Sequence, residues 1–161
     1  MKPKLKYDSW LNEIEVIIDS REKENSHIKN TFDLYKVKYK IDGLKYGDYT
    51  YLFNNKVMGC VIERKNSLDE ISQNFTKNRD RFKREWDKIP FSDTKHLVIE
   101  GNTLNDIYLE NYRSKLHINS FLASLLSFES RYNIKTHFVS KTFVGLHILK
   151  LFYYTDYYIK A

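Results

Sequence analysis

The chain has 161 residues, of which 42% are apolar and 16% aromatic, with only two prolines and five glycines. This composition excludes a disordered or repetitive polypeptide, and the length predicts one compact domain, residues 1–161, with a core that needs no disulfide. A net charge of +6, from 27 Lys and Arg against 21 Asp and Glu, favours polyanionic partners such as nucleic acid.

The single cysteine, Cys60, cannot form an internal disulfide. The N-terminus has no apolar core of signal-peptide length, and no stretch approaches the roughly 20 apolar residues of a membrane span. We therefore expect a cytoplasmic protein that works in a reducing interior, without a membrane. Its abundant Lys, Asn, Ile and Tyr indicate an AT-rich genome, bacterial or viral.

The first predicted elements are a strand over residues 13–19, a helix through residues 28–35 and a short strand over residues 35–41. In the short strand, lysines alternate with aromatic and aliphatic residues, the period of a half-buried strand. The lysines concerned are Lys36, Lys38 and Lys40. One interpretation is a stripe that follows DNA phosphates; the other is an edge strand protected by lysines against mispairing.

A hairpin is predicted next, because Asn54-Asn55 tolerates the positive φ angles of a two-residue loop. With this loop Phe53 pairs with Lys56, and further out Asp48 lies opposite Val61 and Tyr46 opposite Glu63. Since side chains alternate between faces, Asp48, Glu63 and Lys65 then share one face as diagonal neighbours, and Arg64 points the other way. Carboxylates at that separation are able to share one Mg²⁺ ion.

Ser67 with Glu70 forms a capping-box pattern, so a helix is predicted to begin there. Asp69 falls in the first turn, where it favours the helix dipole and is able to anchor Arg64 or Lys65. A second helix is predicted over residues 78–89 and ends before Pro90. Its cations Arg79, Arg81, Lys83 and Arg84 either contact DNA or lie on a solvated face with internal ion pairs.

The last third predicts a buried strand over residues 97–100, a helix over residues 117–131 that packs on the sheet, and a strand over residues 136–139. Residues 142–159 predict an aromatic-rich helix that is apolar around much of its circumference. Such a helix needs burial on two sides, either in a homodimer interface or within the monomer. The five histidines show no metal-ligand spacing, and no zinc site is expected.

Two separated signatures carry a resemblance to a known family. The first is Gly47-Asp48 followed by Glu63-Arg64-Lys65, three residues and Asp69; the second is Asp19-Ser20-Arg21-Glu22 after an apolar strand. Together they resemble the XPF-type nuclease domain (excision-repair cross-complementing group four) of the restriction-endonuclease-like PD-(D/E)xK superfamily. The resemblance extends over residues 13–139.

The resemblance implies an α/β fold in which helices flank a central mixed β-sheet. It also implies a Mg²⁺- or Mn²⁺-dependent DNA endonuclease acting on branched or otherwise structured DNA, including single-strand/double-strand junctions, here as a stand-alone domain without helix-hairpin-helix repeats or helicase. The alternatives are a non-catalytic DNA-binding subunit with the same fold and a protein-interaction or inhibitor module whose basic surface binds an acidic partner.

The implied site residues fall into three groups. Asp48 and Glu63, with Asp19 directly or through water, bind the metal, and Lys65 stabilises charge on the phosphate. The supporting residues are Arg64, Asp69, Arg21 and Glu22.

Overall fold

The computed structural model describes residues 3–160. The strands are β1 (Ile14–Asp19), β2 (Lys38–Asp42), β3 (Tyr49–Phe53), β4 (Lys56–Val57), β5 (Cys60–Lys65), β6 (Thr94–Glu100) and β7 (Ile134–Val139). The helices are α1 (Tyr7–Leu11), α2 (Ser26–Leu34), α3 (Leu68–Phe75), α4 (Arg79–Asp87), α5 (Leu104–Tyr108), α6 (Ile118–Tyr132), α7 (Val144–Phe152) and α8 (Tyr158–Lys160). A π-helical turn, Tyr153–Tyr157, joins α7 to α8.

The strands form one mixed sheet in the order β2-β1-β3-β5-β6-β7, with β4 paired to β3. β2 runs parallel to β1, and β5, β6 and β7 run parallel to one another, whereas β3 is antiparallel to both β1 and β5. The carboxyl ends of β1 and β5 therefore lie at the same end of the sheet, beside the start of β3. That end receives Asp19, Asp48 and Glu63.

Two apolar cores cover the two faces of the sheet. Ile62 and Val98 face the core formed with α1, α2 and α7, while Val61 and Leu97 face the core formed with α3 to α6. Because successive side chains of a strand point to opposite faces, Glu63 belongs to the face of Val61, under α3 and α4. The architecture confirms the predicted α/β fold with a mixed sheet flanked by helices.

The predicted strand over residues 35–41 begins later than expected. Lys36 has a φ of 56° and lies in the turn after α2, so it is outside the strand. β2 starts at Lys38 and forms an edge of the sheet, with Lys38 and Lys40 exposed. This position agrees with the interpretation of an edge strand protected by lysines.

The predicted helix over residues 142–159 is interrupted by the π-helical turn and is mostly buried within the chain. Residues of α7 such as Ile148 and Phe152 lie in the core with no exposed surface. Burial inside the monomer therefore accounts for most of its apolar circumference, although Tyr154, Tyr158 and Ile159 remain exposed. Among residues 3–160 we find no helix with the length and apolar character needed to cross a membrane.

Candidate active site

The hairpin that positions the acidic residues has the predicted loop. Asn54 and Asn55 have φ angles of 52° and 60°, and Phe53 pairs with Lys56. Beyond Val57 the register changes, because Tyr49 pairs with Ile62. Met58 and Gly59 are thus two extra residues on one arm of the hairpin.

This insertion corrects the predicted pairing. The expected alignments of Asp48 with Val61 and of Tyr46 with Glu63 are wrong, since Tyr49 pairs with Ile62 and the backbone N–H of Asp48 donates to the carbonyl of Ile62. A shift of two residues restores the alternation of faces, whereas a shift of one would have reversed it. Asp48 and Glu63 consequently line the same cleft, on the shared face that was predicted.

Gly47 allows the chain to bring Asp48 against β5. It has a φ of 76°, and a Cβ atom at this position would lie 2.3 Å from Cγ1 of Val61. The backbone N–H of Asp48 donates to the carbonyl of Ile62 at 2.8 Å. The Gly47-Asp48 pair is therefore needed both for the backbone angle and for this close approach.

Asp48, Glu63 and Lys65 line one cleft of about 530 Å³. Asp19 and Glu85 add further carboxylates to its walls. The remaining charged side chains of the walls are cationic: Arg21, Lys45, Arg81, Arg84 and Lys88. The cleft thus presents a small acidic centre inside a basic rim, which suits a phosphodiester held against a metal ion.

Lys65 and Glu63 form an ion pair at the centre of this cleft. Nζ of Lys65 donates to Oε1 of Glu63 at 3.1 Å, and the Lys65 side chain is 9% exposed. Burial lowers the pKa of Lys65, but the carboxylates of Glu63 and Asp48 outweigh it and hold this pKa above the usual value. Lys65 is therefore a fixed positive charge beside the two acids.

Ionisation of Asp48 and Glu63 costs free energy in the metal-free protein. Burial, the nearby carboxylate of Glu63 and that of Glu22 raise the pKa of Asp48 well above its usual value. Burial also raises the pKa of Glu63, although Lys65 opposes this shift. A cation between the two carboxylates would offset both burial and mutual repulsion.

Asp19 lies at the edge of the same cleft, but other groups engage its carboxylate. Oδ1 accepts from the backbone N–H of Leu44 at 2.9 Å, and Oδ2 accepts from Nε of Arg21 at 2.9 Å. Burial opposes ionisation, yet these two partners keep the pKa of Asp19 below its usual value. Arg21, whose side chain is 75% exposed, carries its charge to the cleft wall.

Arg64 points away from the cleft, as predicted, into a buried network. Its guanidinium group bonds Oε2 of Glu22 and Oε2 of Glu100, each at 3.1 Å. Glu100 also contacts Nε2 of His27 at 2.5 Å. Sequence reasoning placed Glu22 among the supporting residues but missed Glu100, which reaches Arg64 through the parallel pairing of β5 with β6, and His27 of α2, which contacts Glu100.

Asp69 does not anchor Arg64 or Lys65. Its Oδ1 accepts from the backbone N–H groups of Arg113 and Ser114, each at 2.8 Å, and so fixes the loop before α6. The predicted capping of α3 is confirmed, because Oγ of Ser67 accepts from the backbone N–H of Glu70 at 3.1 Å. Asp69 thus acts on the neighbouring loop from outside the cleft.

The predicted DNA-contacting cations are dispersed. Arg81 lines the cleft, whereas Arg79 bonds Oγ of Ser124 at 2.9 Å and the carbonyl of Phe75 at 3.3 Å. Lys38 pairs with Glu15 near the start of β1, at the opposite end of that strand from Asp19. Arg84 also lines the cleft, together with Lys45 and Lys88, which sequence reasoning did not select.

The donor set at the cleft fits a hard divalent cation. Within residues 3–160 there is no group of three or more His, Cys, Asp or Glu side chains arranged as a complete metal centre. Mg²⁺ does not require one, because it usually retains several waters and is held by one or two carboxylates plus substrate phosphate. Asp48 and Glu63 supply that pair of carboxylates. Oδ2 of Asp48 also accepts a hydrogen bond from the backbone N–H of Arg64.

Comparisons with known proteins agree with this architecture. A family model described as the ERCC4 domain matches residues 18–147. The structure of XPF from Aeropyrum pernix matches with a TM-score of 0.63 and 19% identity, covering 85% of this chain and 62% of that chain. The same protein in complex with DNA matches with a TM-score of 0.64, at the same identity and coverage.

The chain therefore spans 62% of the length of these two relatives. Their restriction-endonuclease-like fold is the fold of this chain. The comparison with curated proteins gives no match.

Proposed function

The chain belongs to the ERCC4 domain family, and we propose on this basis that it is a nuclease that hydrolyses phosphodiester bonds of DNA with Mg²⁺ or Mn²⁺. The single observation that carries the proposal is the meeting of Asp48, Glu63 and Lys65 in one cleft with a basic rim. Family membership and cleft chemistry together favour DNA processing over a surface that binds an acidic protein.

Asp48 and Glu63 would hold the metal. When bound, the ion polarises the scissile phosphate and favours ionisation of the attacking water. The backbone N–H of Arg64 fixes Oδ2 of Asp48 at 2.7 Å, which leaves Oδ1 available to a metal ion. Asp19, bound to Arg21 and Leu44, would act through water rather than as a third direct ligand.

Lys65 would act on the phosphate group of the substrate. Its ammonium group lies within reach of Glu63 and close to Asp48, so it remains charged and ordered before substrate arrives. A pre-organised cation at this position stabilises charge that develops on the phosphate oxygens. Endonucleolytic cutting is part of this proposal, and circular DNA, which has no free end, tests it.

The preferred substrate in this proposal is branched or otherwise structured DNA, including single-strand/double-strand junctions. A homodimer through the C-terminal helical segment is also part of the proposal, supported by the exposed Tyr154, Tyr158 and Ile159. Sedimentation of the wild type beside Tyr158→Ser tests the dimer. Monomers at all concentrations would remove it without affecting the nuclease assignment.

The test is incubation of the purified chain with flap, splayed-arm, linear and circular DNA, with Mg²⁺, with Mn²⁺ or with chelator. Calorimetric titration with Mn²⁺ accompanies it. We expect metal binding and metal-dependent cuts, both strongly reduced in Glu63→Ala. Metal-independent DNA binding without any cut would favour the non-catalytic subunit instead.

A further inference from the structure

A second hollow, of about 450 Å³, opens beside the cleft at the end of α4. Lys88 lines both depressions, so the two are neighbours on the surface. The hollow carries three cationic side chains, Lys88, Lys95 and Arg131, against the single carboxylate of Asp87. Its charge is therefore complementary to an anion.

Lys95 is a buried cation that forms no ion pair, although the carboxylate of Asp93 attracts it from a longer distance. It is 3% exposed, and Nζ donates one long hydrogen bond of 3.4 Å to the carbonyl of Asp93. Across residues 3–160, no carboxylate oxygen lies within ion-pair distance of this ammonium group. A buried, incompletely paired charge is costly, so an anion entering the hollow would offset this cost.

Lys95 also lies on the same face of the sheet as the acidic centre. It pairs with Val61, two residues before Glu63 on β5. One strand spacing and two residues of rise separate the Cα atoms of Lys95 and Glu63 by roughly 8 Å. One polynucleotide strand is therefore able to reach both places.

Phe91 supplies the aromatic part of the hollow. Its side chain is 86% exposed, more than any other large apolar residue of the described chain, and Nζ of Lys95 lies 5.5 Å from its ring centroid. Exposed aromatic rings beside cations are the elements that bind single-stranded nucleic acids, because every nucleobase has a face that stacks. A base paired in a duplex is not free to stack in this way.

We propose that this hollow binds an unpaired nucleotide of the substrate strand, with its phosphate on Lys95, Lys88 and Arg131 and its base against Phe91. The proposal rests on the function proposed above, because it takes the strand in the cleft to be nucleic acid. It assigns a binding site for unpaired nucleotides next to the proposed site of cleavage.

The test is binding without chemistry. Fluorescence anisotropy in chelator compares a labelled single-stranded oligonucleotide with a duplex of the same sequence, over a series of salt concentrations. The variants are Lys95→Met and Phe91→Ala. Their matched controls are Lys83→Met, from a lysine of α4 that lines neither depression, and Phe143→Ala, from an exposed phenylalanine after β7.

We expect Phe91→Ala to weaken single-strand binding about fivefold or more and duplex binding less than about twofold. Lys95→Met should weaken single-strand binding by a similar factor and reduce its salt slope by about 0.7, the value for one phosphate contact. Because it removes an unpaired buried charge, Lys95→Met should also keep or raise the melting temperature. The two controls should match the wild type.

Unchanged single-strand affinity in both variants would overturn the proposal, as would equal losses for duplex and single strand in Phe91→Ala. If Lys95→Met does not fold, Arg131→Ala at an exposed position replaces it in the same assay, with the same expected loss. A calorimetric titration with inorganic phosphate shows whether the hollow binds free phosphate alone. If phosphate saturates the hollow but does not compete with the oligonucleotide, the hollow does not bind the nucleic-acid strand. The assay does not measure cleavage. If the chain never cleaves DNA but the variants show these losses of affinity, the nuclease proposal is refuted and the nucleotide-binding proposal is kept.

Discussion

The backbone N–H of Arg64 donates to Oδ2 of Asp48 at 2.7 Å, while the guanidinium group of Arg64 lies on the opposite side of β5. One residue therefore serves both faces of the sheet. Its main chain orients an acid of the cleft, and its side chain joins two buried carboxylates behind the cleft. The effects of these two parts are separable by mutation.

Arg64→Met should destabilise the fold. The Arg64 side chain is 1% exposed and pairs with Glu22 and Glu100, which would be left as buried acids without their cation. Breaking a buried pair from one side costs about 3–5 kcal/mol of unfolding free energy. Urea denaturation measures it, and the triple variant with Glu22→Gln and Glu100→Gln should recover part of the loss. A stability equal to that of the wild type would show that the network contributes nothing.

Asp48→Ala, Glu63→Ala and Lys65→Ala should each lower metal-dependent DNA cleavage about 100-fold or more, since each removes one pre-organised charge. Folding should be retained, because burial and repulsion already penalise the two acids in the metal-free protein. Initial rates on one DNA substrate are the measurement, with Asp69→Ala as the control outside the cleft. Full activity in any of the three would reject the role assigned to that residue.

Gly47→Ala should impair cleavage more than stability alone explains. The new Cβ atom would overlap Cγ1 of Val61, at 2.3 Å, and the φ of 76° adds strain for any L side chain. The adjacent Asp48 would then move from β5. Combining it with Val61→Ala removes the overlap but leaves the strain, so activity should recover in part. No recovery in the pair would assign the whole effect to backbone strain.

Stability should fall as the pH drops from about 7 to about 4. Burial lowers the pKa of His96 to about 3 and that of His137 to about 4, with nearby cationic groups adding to the effect. The unfolded chain takes up protons on both residues below about pH 6.5, whereas the folded chain does not, so acid favours unfolding.

Urea denaturation at several pH values measures this slope. His96→Gln should flatten it by up to about 1.4 kcal/mol per pH unit. An unchanged slope would mean that other groups dominate. DNA cleavage at neutral pH should be unaffected, because His96 lies on the face of the sheet opposite Glu63.

Arg81→Ala with Arg84→Ala should weaken DNA binding and lower its salt slope by about 0.9 per lost phosphate contact. Both side chains line the cleft. Lys38→Ala with Lys40→Ala, which removes the same charge from the edge strand, should leave affinity and slope nearly unchanged. Anisotropy titrations at several salt concentrations separate the two pairs. Equal losses in both would restore the lysine stripe as a DNA contact.

The acidic pair could be predicted from sequence because its determinants are local: the Asn54-Asn55 loop, the alternation of faces and the Gly47-Asp48 motif. The register could not, because it depends on distant contacts. The carbonyl of Gly59 accepts from the backbone N–H of Thr94 at 2.8 Å and from Nζ of Lys160 at 2.9 Å. These partners come from β6 and the end of the chain, and no hairpin rule includes them.

The same reason explains the network behind Arg64 and the interrupted C-terminal helix. Glu100 was visible only as the last residue of a buried strand, and its partner depends on which strands are neighbours. The π-helical turn places Asp156 against the hydroxyl of Tyr51, at 2.5 Å in the core. Apolar periodicity predicts that the segment is buried but not that one turn widens to reach this partner.

The two extra residues, Met58 and Gly59, show that one arm of the hairpin changes length by an even number of residues without turning side chains to the other face. Lengthening or shortening that arm by an even number of residues keeps Asp48 and Glu63 in the cleft. An odd change turns one of them toward the apolar core on the opposite face of the sheet. Relatives that preserve the chemistry should therefore differ here in steps of two. A natural variant with a single inserted residue at this point would lose one acid from the cleft, even with every motif residue present.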